Sequence, residues 1–250
     1  MIHRLDPRSK LISILIFVVI IFLANNWLTY GFVVLFSLIG VLLSKVPIRF
    51  IYRGLKAIII IIIFTFILNV LFTQQGDLLF SIGWLHIYKG GLVQGLFISI
   101  RLLAIIVLTT LLTLTTTPID ITDGIEILLG PLKKMKLPIH EFALMMSISL
   151  RFIPTLLEET EKIMKAQSAR GSDFTSGSLK SRIKAIIPLL VPLFVSAFKR
   201  AEELAMAMEA RGYRGDKGRT RLRVLKWTAK DTGVIILLLI LTAVLVIFRN

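Results

Sequence analysis

Residues 57–73 read Ala-Ile-Ile-Ile-Ile-Ile-Ile-Phe-Thr-Phe-Ile-Leu-Asn-Val-Leu-Phe-Thr, with no charge and an unbroken Ile/Phe run from Ile58 to Phe64. This is the clearest membrane span in the chain. The whole composition agrees with it. Of 250 residues, 56% are hydrophobic and only 18% charged, with a mean hydropathy of +0.84. A soluble domain is about 45–50% apolar and about 25% charged, so a soluble fold of this size could not hide the excess. Lys and Arg total 30 against 15 acids, a formal charge of +15. Basic and apolar together point to membrane insertion with positive cytoplasmic flanks, and the apolar content argues against nucleic-acid binding. The absence of cysteine excludes disulfides and thiolate chemistry, and His3, His86 and His140 show no ligand spacing.

Outward from that span, Leu11–Ala24 is uncharged but only about 21 Å long as a helix, short for a hydrocarbon core of roughly 30 Å. Asn25-Asn26 interrupts it and Trp27–Leu43 continues apolar, which predicts a tight helical hairpin or, failing that, a shallow tilted pair. On the other side, residues 74–90 read as an external loop. Gly91–Thr115 returns through the membrane, with Gly91 and Gly95 spaced for close helix approach. Thr232–Phe248 is the last span. Nothing resembling a signal-peptide cleavage site follows the basic N-terminus, which is therefore kept as mature sequence.

The expected fold is an all-α integral membrane protein with about five transmembrane helices and a cytoplasmic helical domain. Residues 1–115 form four spans, 116–230 the cytoplasmic domain and 231–250 the last span. Arg4, Arg8 and Lys10 precede the first span, Lys45, Arg49, Arg53 and Lys56 follow the second, and 20 bases lie in 116–230. The positive-inside rule puts the N-terminus in the cytoplasm and the C-terminus outside.

The insertion reads as wholly helical. Thr117-Pro118-Ile119-Asp120 is a helix start, with Thr at N-cap and Pro at N1, and Gly130-Pro131 stops that helix. A long amphipathic helix begins at Pro138, with Pro154 expected to kink it. A second runs from about Ser181 to Arg211. Its uncharged part, Ala185–Phe198, contains Pro188 and Pro192 and suits an interfacial or protein-covered helix better than a span.

Both long helices end alike. Ala169-Arg170-Gly171 and Ala210-Arg211-Gly212 are 41 residues apart, and Glu161 and Ala166 align with Glu202 and Ala207. Gly at C′ takes the left-handed conformation, and Arg in the last turn favours the negative end of the helix dipole by about 0.3–1 kcal/mol. One copy has that structural explanation in full. Two copies suggest two tips with the same task, suited to two similar acidic grooves on a pair of soluble subunits.

On these residues the chain resembles the transmembrane (T) components of energy-coupling factor transporters, the EcfT/CbiQ-like family of ABC-type importers for vitamins and transition-metal ions. The likeness includes Leu5-Asp6-Pro7-Arg8-Ser9-Lys10-Leu11, Arg101, Leu112-Thr113-Leu114-Thr115-Thr116, Leu150-Arg151-Phe152-Ile153-Pro154 and the paired tips. It implies that Ala169, Arg170, Gly171, Ala210, Arg211 and Gly212 bind two ABC ATPase subunits. It also implies an apolar platform for a separate membrane-embedded, substrate-binding S component.

Other features fit that reading or a plainer one. Met145 and Met146, with Met164, Met206 and Met208, supply an adaptable docking surface or ordinary core. Arg101, a charge inside a span, serves a partner contact or snorkels to the outer interface. The basic stretch Arg214, Lys217, Arg219, Arg221, Arg223 and Lys226 anchors at anionic lipid. No Gly-Lys-Ser/Thr loop for ATP occurs, and no cofactor or metal is expected. The acids on the long helices pair with bases four residues away, as expected of solvated faces. A membrane-embedded lipid-modifying enzyme would need clustered acids, His or Ser that the spans lack. An autonomous secondary transporter would need ionisable groups at the midplane, where Arg101 stands alone.

Overall fold

The computed structural model describes residues 2–82, 85–172, 174, 178–215 and 224–249, leaving aside the side chains of 57, 80–86 and 179–182. The side chain of His86 and, in the basic stretch, Lys217, Arg219, Arg221 and Arg223 lie outside the described residues. Backbone contacts divide the chain into two compact units, Met1–Leu128 with Val224–Asn250, and Leu129–Arg223. The helix following Thr117 belongs to the first unit, because it packs on the first helix of the chain.

In the first unit, Asp6 caps helix α1 (Pro7–Ile20), accepting a hydrogen bond from Arg8 N at 2.9 Å, with Pro7 at N1. The helix tightens to a 3₁₀ turn over Ile21–Leu23. Starting four residues before Leu11 and ending in that turn, the segment reaches about 27 Å, nearer to a bilayer's hydrocarbon thickness than the apolar run alone. Helices α2 (Trp27–Ser44), α3 (Ile48–Phe72) and α4 (Lys89–Thr115) follow, then α5 (Pro118–Leu128) and, after the second unit, α8 (Ala229–Ile247). Among the described residues, α2, α4 and α8 are each long and apolar enough to cross a membrane; α3 qualifies as a span bent by 55° between Ile48–Lys56 and Ile58–Phe72. The expected count of five therefore stands at three or four by length and composition, with α1 short of the mark.

In place of the expected tight hairpin, α1 and α2 meet locally, with Phe17 stacked on Phe36 at 5.6 Å, and each packs mainly on other helices. α1 lies against α8, α5 and α4, while α2 lies against α4. Both helices are apolar on every side, so periodicity gave no direction for the partner. The buried core gathers Phe17, Ile20 and Ile21 with Tyr30, Val33, Ala104, Leu238, Leu241 and Leu245. Exposed Ile, Leu and Phe side chains on the outer faces of α2, α3 and α8 make a surface for lipid or protein to cover.

The glycine spacing on α4 is borne out. A Cβ on Gly91 would stand 3.0 Å from Asn69 O, and one on Gly95 3.1 Å from Phe66 Cδ2, so α3 and α4 approach closely there. The loop between them holds an unforeseen antiparallel hairpin, β1 (Leu78–Ile82) and β2 (Leu85–Tyr88). Its two strands are too short to stand out by alternation.

The second unit comprises a 3₁₀ helix over Gly130–Met135 and two long helices, α6 (Ile139–Ala169) and α7 (Leu179–Ala210), packed on each other. α6 continues through Pro154 and α7 through Pro188 and Pro192. Neither is apolar and charge-free enough over its length to count as a span.

Candidate coupling tips and membrane-embedded clusters

The two tips are the same local structure. At the end of α6, Ser172 N donates to Gln167 O and Gly171 N to Ser168 O, both at 3.0 Å. At the end of α7, Tyr213 N donates to Met208 O at 3.0 Å and Gly212 N to Glu209 O at 2.8 Å. These are Schellman caps, with the left-handed residue at Gly171 (φ +89°) and Gly212 (φ +73°). Ala169, Arg170, Ala210 and Arg211 are exposed, and no other described residue engages either guanidinium. A helix C-terminus is a favourable place for a cation, and a free planar guanidinium at its end can bind a carboxylate or carbonyl in a fixed direction.

Between the tips and the rest of each helix, Glu159 on α6 accepts hydrogen bonds from Ser196 Oγ at 2.6 Å and Arg200 Nη2 at 2.7 Å on α7. The same helices expose large apolar side chains. Met145 and Met146 are more than half exposed on α6, with Phe142, Ile153 and Leu157 also open, while α7 exposes Phe194, Val195 and Phe198. Ile153 and Leu157 correspond to Phe194 and Phe198 under the 41-residue repeat. The apolar faces are therefore duplicated along with the tips.

In the first unit, Arg101 turns into its own bundle. Its Nη2 donates to Tyr30 Oη at 2.8 Å and reaches Ala24 O at 3.4 Å, and its guanidinium carbon lies 4.9 Å from the Phe22 ring centroid. Tyr30 is buried and stacks on Phe97 at 4.5 Å between centroids. Arg101 thus closes the turn between α1 and α2 against α4, and the half-buried side chain keeps an accessible edge.

A second buried cluster was not foreseen. Asp231 is fully buried and accepts four hydrogen bonds, from Asp6 N (2.8 Å), Ser9 Oγ (2.6 Å), Thr228 N (2.8 Å) and Thr228 Oγ1 (2.6 Å). Arg8 pairs with Asp6 at 2.8 Å, donates to Leu225 O at 3.3 Å and lies over the Trp227 ring. The Asp6-Pro7-Arg8-Ser9 sequence is thus a clasp on the segment leading into α8. The available signal was an acid directly ahead of an apolar run, which reads as a helix cap when taken alone.

Known proteins resemble the chain over most or all of its length. The family model for CbiQ, cobalt transport protein, matches residues 1–222. An energy-coupling factor transporter transmembrane protein EcfT of Bacillus subtilis (strain 168) is 65% identical over 249 residues, covering all of this chain and 94% of its own length. Proteins of the same name from Listeria innocua and Exiguobacterium sibiricum are 56% and 55% identical, each covering 99% of this chain and 94% of their own length. Identity at this level holds over essentially the whole chain, and the chain belongs to the CbiQ family as a transmembrane component of energy-coupling factor transporters.

Proposed function

We propose that the chain is the non-catalytic coupling subunit of an importer for a vitamin or a transition-metal ion, with its N-terminus in the cytoplasm. Two ABC ATPase subunits dock on the tips, Ala169-Arg170-Gly171 and Ala210-Arg211-Gly212, one on each. A membrane-embedded S component carries the substrate and packs on the exposed apolar faces of the insertion around Met145 and Met146, with the open edge of Arg101 as a further contact. ATP binding moves the two ATPases relative to one another, α6 and α7 follow as rigid levers, and the S component responds. Such coupling requires contacts that differ in free energy between the two states.

The observation that carries the proposal is the pair of matching Schellman caps, each presenting an arginine that no other described residue engages, at exposed helix ends 41 residues apart. A lone cap needs no partner to explain it; a duplicated one with duplicated apolar faces suits a two-fold partner. The test is recovery of the ATPases on immobilised Arg170→Ala/Arg211→Ala protein, with uptake measured in the same cells. Each arginine buried in a docking groove is worth about 2–5 kcal/mol, so recovery and uptake should both collapse. Full recovery with normal uptake would refute the docking role.

A further inference from the structure

The chain leaves the first unit after Leu128 and returns to it at Val224. The end of α4 and α5 form the way out, and the segment running into α8 is the way back. Both are held by residues 6–11, at the start of α1.

On the way out, Lys10 is 7% exposed, and its ammonium donates to Thr115 O at 2.9 Å and Thr116 Oγ1 at 3.2 Å. Thr115 ends α4, so its carbonyl is one that a helix leaves without an internal partner. A cation is also favoured at that end of the helix dipole. Further along, α5 rests on the same stretch of α1. A Cβ on Gly124 would stand 3.2 Å from Leu11 Cδ1 and 3.4 Å from Pro7 Cβ.

On the way back, Asp6 N and Ser9 Oγ donate to Asp231 at 2.8 and 2.6 Å, and Arg8 donates to Leu225 O at 3.3 Å. Asp120 on α5 and Asp231 on α8 both act on the Lys10 charge, so each segment contributes an acid to its surroundings.

Stability alone does not call for this arrangement. Burying an ammonium is unfavourable, and a well-packed apolar side chain in such a place is often as stable or more so. Buried networks of directional bonds do something else: they rigidify what they join. The chain carries any displacement of α6 and α7 into the first unit at these two places. A slack joint would absorb that displacement, whereas hydrogen-bonded contacts between rigid helices pass it on.

We propose that residues 6–11 form a clamp that fixes both crossings of the chain on α1, with Lys10 and Ser9 as positioning residues that set how much transport each ATP yields. The inference rests on the coupling reading above.

The test has two arms. The chain contains no cysteine, so spin labels at Ile119→Cys and Lys226→Cys, both exposed, report on one segment each. Their separation in the full chain in detergent, read by pulsed electron spin resonance, should be a single narrow distribution that becomes about twofold wider in Lys10→Met. The second arm uses the chain assembled in liposomes with its ATPases and S component. Lys10→Met should recover the ATPases and hydrolyse ATP as the parent does, while uptake per ATP falls about tenfold, the factor expected for a lost charged hydrogen bond. Ser9→Ala loosens the way back, leaves Asp231 its bonds from Asp6 N and Thr228, and should shift both readouts in the same direction. It covers the case in which Lys10→Met misfolds. Parent-like width in both variants, or uptake that falls only in proportion to recovery and hydrolysis, would overturn the clamp while Arg170 and Arg211 are still required for docking. Undiminished ATPase recovery on Arg170→Ala/Arg211→Ala would instead overturn the coupling reading, and the clamp's transport role with it.

Discussion

The Glu159 carboxylate meets Arg200 Nη2 at 2.7 Å across α6 and α7, and the two residues are 41 positions apart, the same interval that separates Arg170 from Arg211. The repeat therefore brings its own equivalent positions into contact. Each tip follows eleven residues beyond that contact (159 to 170, 200 to 211), or about 16 Å of helix. A displacement at either tip reaches the shared contact through a lever of the same length.

The side chains of Glu159 and Arg200 are 23% and 33% exposed, so solvent screens the pair and its contribution should be modest, about 0.5–1 kcal/mol. A double-mutant cycle of Glu159→Ala and Arg200→Ala, read by thermal unfolding in detergent, should return a coupling energy of that size. Uptake should fall further than stability does if α6 and α7 act as the proposed levers, since the variants leave both tips unaltered. A zero coupling energy with unchanged uptake would leave the pair as a surface contact without consequence.

Gly171 and Gly212 have open space where a Cβ would go, with nothing within 4 Å. Replacement by Ala is therefore opposed by backbone conformation alone, about 1–2 kcal/mol for a left-handed L residue. Asn tolerates that conformation better. Recovery of the ATPases should follow the order Gly, Asn, Ala at each site. If Ala recovers as much partner as Gly, docking does not depend on the cap's shape.

Tyr30→Phe removes the hydroxyl that accepts from Arg101 while keeping the ring stacked on Phe97. Arg101 would be left with the longer contact to Ala24 O at 3.4 Å, and its Nε already has no partner. A hydrogen bond to a charged group is worth about 1.5–3 kcal/mol, so the variant should unfold measurably earlier on heating. Arg101→Met should recover part of the loss in the Tyr30→Phe background, since it removes the stranded charge. Equal stability of Tyr30→Phe and the parent would show that the bond contributes nothing.

Local chemistry was legible in the sequence wherever its partners were close along the chain. Thr117 accepts from Asp120 N at 3.2 Å, as the Thr-Pro-Ile-Asp start implied, and both glycine caps formed where spacing placed them. The spacing of Gly91 and Gly95 carried its meaning because it is a requirement for space on one helix face. Partners distant in sequence were not legible. Tyr30 lies 71 residues from Arg101 and Ser9 lies 222 from Asp231. No period or motif encodes such a pairing, and helices apolar on all sides give no preferred face. Chain order alone therefore points to α1 on α2, whereas α1 packs mainly on α8, α5 and α4 and meets α2 locally at Phe17 and Phe36. The tips were recognised as a pair, but the Glu159–Arg200 contact between their helices was not, since two charged side chains on amphipathic helices read as solvated.

Asp231 offers the most stringent stability test. It is a fully buried carboxylate with four hydrogen bonds directed at it, while Arg8 and Lys10 act on its charge from beyond direct contact. Asp231→Ala strands the Asp6 N–H and the Thr228 N–H, leaves Ser9 Oγ only its bond to Asp6 O at 2.8 Å, and removes an acid from the first turn of α8. Unsatisfied buried donors cost about 1–3 kcal/mol each, and loss of the helix-start acid adds less than about 1 kcal/mol. Asp231→Asn keeps one acceptor but brings two donors into a site already supplied with them, so it should rescue only part of the loss. Thermal unfolding in detergent should therefore rank the parent above Asn and Asn above Ala. Limited proteolysis should show the loss beginning in 224–231, where the clasp joins the N-terminus to the last span. Unchanged melting in Asp231→Ala would mean that the clasp holds without its central acceptor, and that Arg8 on Leu225 O and Trp227 is enough.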